Sequence, residues 1–307
     1  MNRNIIDNLK IIEEYEKING NIFKYNSYKK TINLIEMYDK EIKELKDLEE
    51  IKGIGKNIKE KIIEYMEKGK IERVEEIKSD EKYELYTNLN KIYGVGPAKI
   101  KELVLKNVKF SDLDENTKLL NNKQKIGLKY FKDLEERIPY DEGKKHNEII
   151  KNTLKDINKN IEYEMVGSYR RKKEDMGDID ILIKEDDKII LNEIIEKLVE
   201  RGYIIEKLAN GKKKFMGISK INEKTPARRI DILICEKEHY YFTLLYFTGS
   251  YNHNIIMRKR AIEKGLSLSE YGFTDLKTNK IVKYEVNSEE DIFKILDMKY
   301  LKPENRL

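Results

Sequence analysis

Three aspartates lie in two segments with the alternation of strands: Asp178 and Asp180 in MGDIDILI, and Asp231 in RRIDILI. In an extended strand, side chains two positions apart share a face. Asp178 and Asp180 therefore project together, while Ile179, Ile181 and Ile183 turn to the core. Asp231 keeps the same phase against Ile230, Ile232 and Ile234. If these strands are neighbours, three carboxylates meet on one face of a sheet and repel one another unless cations lie between them. Hard oxygen ligands suit Mg²⁺, and such a trio points to a two-metal site for in-line phosphoryl or nucleotidyl transfer. The competing reading is a pair of half-buried strands whose acids are simply solvated.

Two further segments carry donors suited to a nucleotide. Gly167-Ser168-Tyr169-Arg170-Arg171 follows the apolar Met165-Val166. Such a turn offers amide, hydroxyl and guanidinium donors to a triphosphate, and the planar fork of arginine suits phosphate oxygens. Alone it would read as a basic surface turn. Its closeness to Asp178 favours a shared polyanion. Tyr246-Phe247-Thr248-Gly249-Ser250 begins where an apolar strand, Phe242-Thr243-Leu244-Leu245, is expected to end. An aromatic pair beside a glycine suits a wall that excludes a 2′-hydroxyl, or equally ordinary core packing. Asn254, Arg258 and Arg260 then share one helical stretch. Asparagine can meet a base edge or sugar, and arginine a minor groove.

These segments need a scaffold, and the rest of the chain outlines one. At 307 residues it is long enough for two or more domains. A charged fraction of 39% beside 39% hydrophobic residues fits long solvated helices. The single cysteine, Cys235, excludes an internal disulfide framework or a cysteine-rich zinc site and fits a reducing compartment. No uninterrupted apolar stretch marks a signal peptide or membrane span. The net charge of +5 permits a polyanionic partner without demanding one. Apolar residues at helical spacing (Ile5-Ile6-Leu9-Ile12, Ile58-Ile62-Met66) predict short helices to about residue 78, with a polar break at Ser79-Asp80. A second helical block runs to about Arg137, where Ile138-Pro139 punctuates. A helix over 144–158 leads into the acid-bearing strands. Helices followed by a sheet with helices indicate an α+β fold. One motif repeats: Ile51-Lys52-Gly53-Ile54-Gly55-Lys56 is echoed by Ile92-Tyr93-Gly94-Val95-Gly96-Pro97. Gly-apolar-Gly before a helix permits a tight turn and presents free amides, which can hold a DNA phosphate without reading a base. This is the helix-hairpin-helix pattern.

With GSYRR…GDIDILI, RRIDILI and YFTGS in this order and spacing, the chain resembles the family X DNA polymerases. GIGKNIKEKI, YGVGPAKI, QKIGLKYFKDLEERIP, KKKFMGI and DIFKILDMKY extend the resemblance over nearly its whole length. The resemblance implies a helical 5′-deoxyribose-phosphate lyase-like domain over 1–78 and a helical DNA-binding subdomain with the second hairpin over 79–138. A mixed-sheet nucleotidyltransferase palm over 139–248 and a nucleotide-selecting α/β subdomain over 249–307 follow. It also implies that Asp178 and Asp180 ligate two Mg²⁺ ions, or Mn²⁺ in their place, and that Asp231 ligates the catalytic one. Arg137, Ser168 and Arg171 match phosphate-binding positions; Gly167 and Gly177, the latter just before the acids as in the family, complete the implied nucleotide-binding set. Tyr246, Phe247 and Gly249 match the sugar-selecting segment, Asn254 and Arg258 contact the nucleotide and template, and Glu270 and Tyr271 position them. Lys61 matches the Schiff-base lysine, although outside that context it would read as a solvated helix residue. Lys24, Tyr28, Arg73, Lys214 and Arg229 match DNA-binding positions. Gly53, Gly55 and Lys56, with Gly94 and Gly96, form the hairpins, whose carbonyls suit Na⁺ or K⁺.

Departures from the family pattern matter. Phe23 stands where a histidine stacks on DNA, Asn57 replaces a phosphate-binding lysine, and Tyr251 replaces an aspartate near the incoming base. No BRCT-type domain is expected before the lyase-like block, and the connection between Gly217 and Arg228 is short, which implies templated synthesis. The implied activity is that of a monomeric gap-filling DNA polymerase of base excision repair with an associated lyase. Gapped or nicked double-stranded DNA and dNTPs are its partners, with no membrane. An intracellular site, nuclear or at a cytoplasmic site of DNA replication, is expected, and no basic localisation cluster separates the two. Two rivals remain: a DNA-binding scaffold that has lost catalysis, and a nucleotidyltransferase with another acceptor.

Overall fold

Apolar spacing in the first 128 residues resolves into helices: α1 (Arg3–Ile18), α2 (Ile22–Glu36), α3 (Leu45–Glu50), α4 (Lys56–Lys68), α5 (Glu72–Lys78), α6 (Glu81–Lys91), α7 (Pro97–Leu105) and α8 (Asn122–Lys129). The protein is represented by a computed structural model that describes residues 2–106, 108–113, 117–187 and 189–306. Contacts divide the chain into two units, Met1–Leu128 and Lys129–Leu307. In the first unit Leu9, Ile12, Ile35, Leu48, Ile62 and Val74 form the centre of a buried cluster. Asp80 caps α6 through the amides of Lys82 and Tyr83, at the expected polar break. Each glycine repeat joins two helices, α3 to α4 and α6 to α7. Ile51 and Ile54 in one, and Ile92 and Val95 in the other, are buried anchors. Gly53 (φ 101°) and Gly94 (φ 83°) turn the chain in the left-handed region. Gly55 and Gly96 then cap α4 and α7. The apolar residues thus hold the turns while the glycines stay exposed.

The second unit runs α9 (Phe131–Glu135), β1 (Ile138–Pro139), α10 (Tyr140–Ile157), β2 (Glu162–Met165), α11 (Gly167–Arg170), β3 (Asp175–Met176), β4 (Ile179–Lys184), α12 (Ile190–Glu200), β5 (Ile204–Asn210), β6 (Lys214–Ser219) and β7 (Arg228–Cys235). It continues through α13 (Tyr240–Thr248), α14 (Tyr251–Glu263), β8 (Leu266–Ser269), β9 (Gly272–Asp275), β10 (Ile281–Val282) and α15 (Glu289–Ile295). Five strands form a mixed sheet in the order β2-β4-β7-β6-β5. Only β4 and β7 run parallel. The fold is α+β, as expected.

One face of this sheet buries the isoleucines of β4 and β7 against Ile150 and Leu154 of α10 and Leu191, Ile194 and Leu198 of α12. On the other face Leu182 packs with Tyr240 and Leu244 of α13. Asp180 and Leu182 share that face, so α13 covers its later part and the acids lie toward the strand starts. The run Phe242–Leu245, expected as a strand, is instead part of α13. Its Tyr240 and Leu244 face the sheet, while Phe242 and Leu245 enter a second core with Met257, Phe273 and Phe293. A helix buried on two sides is apolar all round, and its period cannot be told from that of a buried strand. Asp178 lies in the bend just before β4 rather than inside it. Helix α10 starts at Tyr140, earlier than expected. Gly143 falls within it, where a Cβ would sit 2.3 Å from the Met176 methyl. No described helix is long and apolar enough to cross a membrane.

His146 on α10 is fully buried, with its Nδ1 2.8 Å from the Tyr203 hydroxyl and Glu142 3.6 Å from its Nε2. Burial pushes its imidazole down to about 4, against the pull of Glu142. The unfolded chain then binds more protons between pH 6.5 and 4, so stability is present above that window and lost as pH falls. Denaturant titration should show His146 contributing a loss of about 2 kcal/mol between pH 7 and pH 5. His146→Gln should shrink the pH-dependent loss by that amount; an unchanged slope would mean that the imidazole takes up its proton as readily in the fold as in the unfolded chain.

Candidate active site

The parallel register of β4 and β7 sets the acids. Asp180 lies beside Asp231, and Ile179 beside Ile230. One step earlier Asp178 comes level with Arg229, and the two side chains form an ion pair. Lys214, on the neighbouring β6, places its Nζ 2.8 Å from Asp231 Oδ2. The other oxygen, Asp231 Oδ1, is buried without a hydrogen-bond partner among the described residues. Burial, then repulsion from Asp178 and Asp231, pushes the Asp180 carboxyl up to about 7, against the attraction of Arg229 and Lys214. Among the described residues the three carboxylates do not gather their oxygens within 4.8 Å of one another. Two of them are drawn to a base instead. An all-carboxylate donor set with an orphaned oxygen and one like-charge-strained acid fits a hard divalent cation.

The glycine-serine turn stands directly against this cluster. Gly167 has φ 60°, and a Cβ there would lie 2.7 Å from Asp180 Oδ2. Both the backbone and the close approach therefore require glycine. Arg171 donates to Ser168 Oγ at 3.1 Å and to the Thr248 carbonyl. Arg170 does not join it as a phosphate donor. Its guanidinium binds Thr248 Oγ1 at 2.8 Å and Glu289 at 2.7 Å, and Glu289 also accepts from the fully buried Arg306 at 2.6 Å. The buried Glu289 carboxylate engages both arginines, and Glu164 lies 3.5 Å from Arg170 Nε, which removes Arg170 from the open face. Arg137 forms a fork with Asp175 at 3.0 and 2.8 Å. Gly177 leaves room for it, since a Cβ there would lie 2.9 Å from Arg137 Nη1.

Helix α13 ends in the aromatic segment. Tyr246 and Phe247 meet edge to face with centroids 5.1 Å apart. Asn254 donates to the Tyr246 carbonyl at 2.8 Å, and the Arg258 guanidinium lies 5.3 Å over the Tyr246 ring. Gly249 (φ 70°) reverses the chain, Ser250 caps α14, and a Gly249 Cβ would lie 3.1 Å from Arg171 Nη1. The sugar-wall candidates and the phosphate-turn candidates are thus joined through Arg171 and Thr248. Arg260 points elsewhere, to the Leu296 carbonyl. The Glu270 carbonyl accepts from Thr243, Tyr271 meets His239 edge to face, and Tyr251 is exposed.

In the first unit Lys24 lies 3.7 Å from the buried Glu16. The Tyr28 phenol is pushed up to about 12 by burial and by Glu16. Arg73 pairs with Glu76 and lies 5.1 Å over the Tyr15 ring. Lys61 is half-buried on α4 and has no hydrogen-bond or ion-pair partner among the described residues. Phe23 is 94% exposed, and Asn57 is exposed in the first turn of α4. Sequence reasoning missed Glu289, Arg306 and the buried Arg228–Glu142 pair. Arg170 and Glu289 are 119 positions apart, and no local spacing marks such a pair.

Four family models match successive parts of the chain. Residues 1–71 match a helix-hairpin-helix domain and 87–135 the fingers domain of DNA polymerase lambda. Residues 137–237 match the DNA polymerase beta palm and 243–307 the DNA polymerase beta thumb. Among curated proteins, DNA polymerase lambda of Rattus norvegicus is 26% identical over 99% of this chain and 56% of its own length. DNA polymerase lambda of Arabidopsis thaliana is 27% identical over 100% and 62%. The DNA polymerase/3′-5′ exonuclease PolX of Bacillus subtilis (strain 168) is 29% identical over 99% and 54%. The chain therefore spans little more than half the length of these relatives. With the paired acids on the sheet matched to the palm, and hairpin, fingers and thumb models before and after it, the chain belongs to the family X DNA polymerases.

Proposed function

We propose that this chain is a template-directed, gap-filling DNA polymerase of base excision repair that transfers a dNMP from a dNTP to a primer 3′-hydroxyl. The observation that carries this reading is the pairing of Asp180 with Asp231 across β4 and β7, with Gly167 packed on the Asp180 carboxylate. Asp178 and Asp180 would hold two divalent cations, Mg²⁺ or Mn²⁺, and Asp231 the one nearer the primer. Such ions, when bound, lower the cost of forming the attacking alkoxide and neutralise the leaving pyrophosphate.

The remaining roles belong to the chain's own side chains. Ser168, Arg171 and Arg137 bind triphosphate oxygens, and Arg137 would exchange Asp175 for phosphate. Tyr246 and Phe247 form the wall that disfavours a 2′-hydroxyl, with Gly249 setting its approach. Asn254 and Arg258 reach the nucleotide and the template strand. Lys214 and Arg229 meet the DNA backbone. The amides after Gly53 and Gly94 hold phosphates on the two sides of a gap, with Na⁺ or K⁺ at the hairpin carbonyls. Contacts to several phosphates make binding steeply salt-dependent. In the first unit Lys61 would form a Schiff base with the 5′-sugar remnant, with Lys24, Tyr28 and Arg73 at the 5′-phosphate. Its half-buried, unpartnered amine supports that role.

Primer extension on a one-nucleotide gap tests the metal assignment. Asp231→Ala should lower insertion roughly thousandfold or more, because several kcal/mol of charge stabilisation is lost at about 1.4 kcal/mol per factor of ten. DNA binding should be kept, as expected if the acid contacts no phosphate. Insertion within tenfold of the parent would place the metals elsewhere. For the lyase, borohydride should trap the chain on incised abasic DNA only when Lys61 is present. Equal trapping by Lys61→Ala would assign the nucleophile to another amine.

A further inference from the structure

Two bases lie on the same sheet face as the acids, and each covers a carboxylate that the proposed chemistry needs. Arg229 precedes Asp231 by two positions on β7 and pairs with Asp178, while Lys214 on β6 reaches Asp231 Oδ2 at 2.8 Å. The Lys214 side chain is 42% exposed and that of Arg229 29%, so both also face solvent. Asp180, between the two pairs, keeps the repulsion of its neighbours, and Asp231 Oδ1 is left unpartnered. The site is thus balanced in part by the protein's own cations.

We propose that Lys214 and Arg229 act as a charge latch: in the free protein they neutralise Asp231 and Asp178, and a DNA phosphate draws them away. DNA binding and divalent-cation binding then strengthen each other. This rests on the polymerase reading of the same site. A carboxylate paired with an ammonium or guanidinium has its charge already offset and a cation beside it that repels a metal ion, so each ion pair competes with the metal. Duplex DNA supplies a dense row of competing anions for those bases. Once the bases turn to phosphate, three carboxylates hold negative charge that only an added cation offsets. Linkage makes the effect reciprocal: DNA tightens the cation by the factor by which the cation tightens DNA. The free enzyme would accordingly hold metal weakly and load it at the gap.

Mn²⁺ binding to the full chain without nucleotide, read from the electron paramagnetic resonance of free Mn²⁺, tests this without turnover. Lys214→Gln and Arg229→Gln should each bind Mn²⁺ about tenfold more tightly than the parent, within the usual range of coupling. Lys214→Arg, which restores the charge, should return the affinity to the parent value. At constant ionic strength, Mg²⁺ should tighten gapped-DNA binding by the parent more than by the double variant. Unchanged or weaker Mn²⁺ binding in both Gln variants overturns the latch, and if the parent still inserts nucleotides the polymerase reading stands. Tightened Mn²⁺ binding in a chain that inserts nothing supports the latch and rejects the polymerase reading instead.

Discussion

Mutual repulsion among Asp178, Asp180 and Asp231 is the constraint around which the second unit is organised. Parallel pairing of β4 with β7 forces Asp180 and Asp231 side by side, and the bend before β4 adds Asp178. A sheet face loaded in this way cannot be closed over with apolar side chains, since buried unpaired charge is costly. Helix α13 accordingly packs on Leu182 and stops short of the acids. Gly167 gives the Asp180 carboxylate space that any side chain would occupy. Lys214 and Arg229 offset part of the charge, while burial and then the repulsion of its two neighbours still raise the affinity of Asp180 for a proton. That residual charge is what makes the site suited to a cation.

A second buried network ties the chemistry to the rest of the unit. Glu289 lies between Arg170 and Arg306. Arg170 and Arg171 both converge on Thr248, at the end of α13. The turn that carries Ser168 is therefore held to the aromatic segment through Thr248 and to the C-terminal region through Arg170 and Glu289. Breaking one member of such a buried triad leaves uncompensated charge, which is far more costly than losing a surface pair. Small displacements of α15 would thus reach the turn that carries Ser168 and Arg171.

Much of this was legible in the chain because local rules govern it. The alternation around Asp178, Asp180 and Asp231 read as strands facing one way, and both glycine repeats read as turns before helices. Positive φ at Gly53 and Gly94 is the physical reason for that pattern. What was not legible has long-range causes. Phe242–Leu245 read as a strand because a helix between two cores loses its polar face. Arg170 read as a phosphate donor because its partners, Glu289 and Thr248, come from distant segments. The ion pairs that cover Asp178 and Asp231 depend on register between strands, which composition and spacing do not encode.

The central claim is that the three aspartates share paired divalent cations around a triphosphate. Anomalous diffraction from crystals of the full chain, grown with gapped DNA, a non-hydrolysable dNTP and Mn²⁺, addresses it directly. The account predicts two manganese peaks, both touching Asp178 and Asp180 and one touching Asp231. Manganese only at the surface group of Glu236, Glu238 and His239, with Asp231 still paired to Lys214, would contradict it.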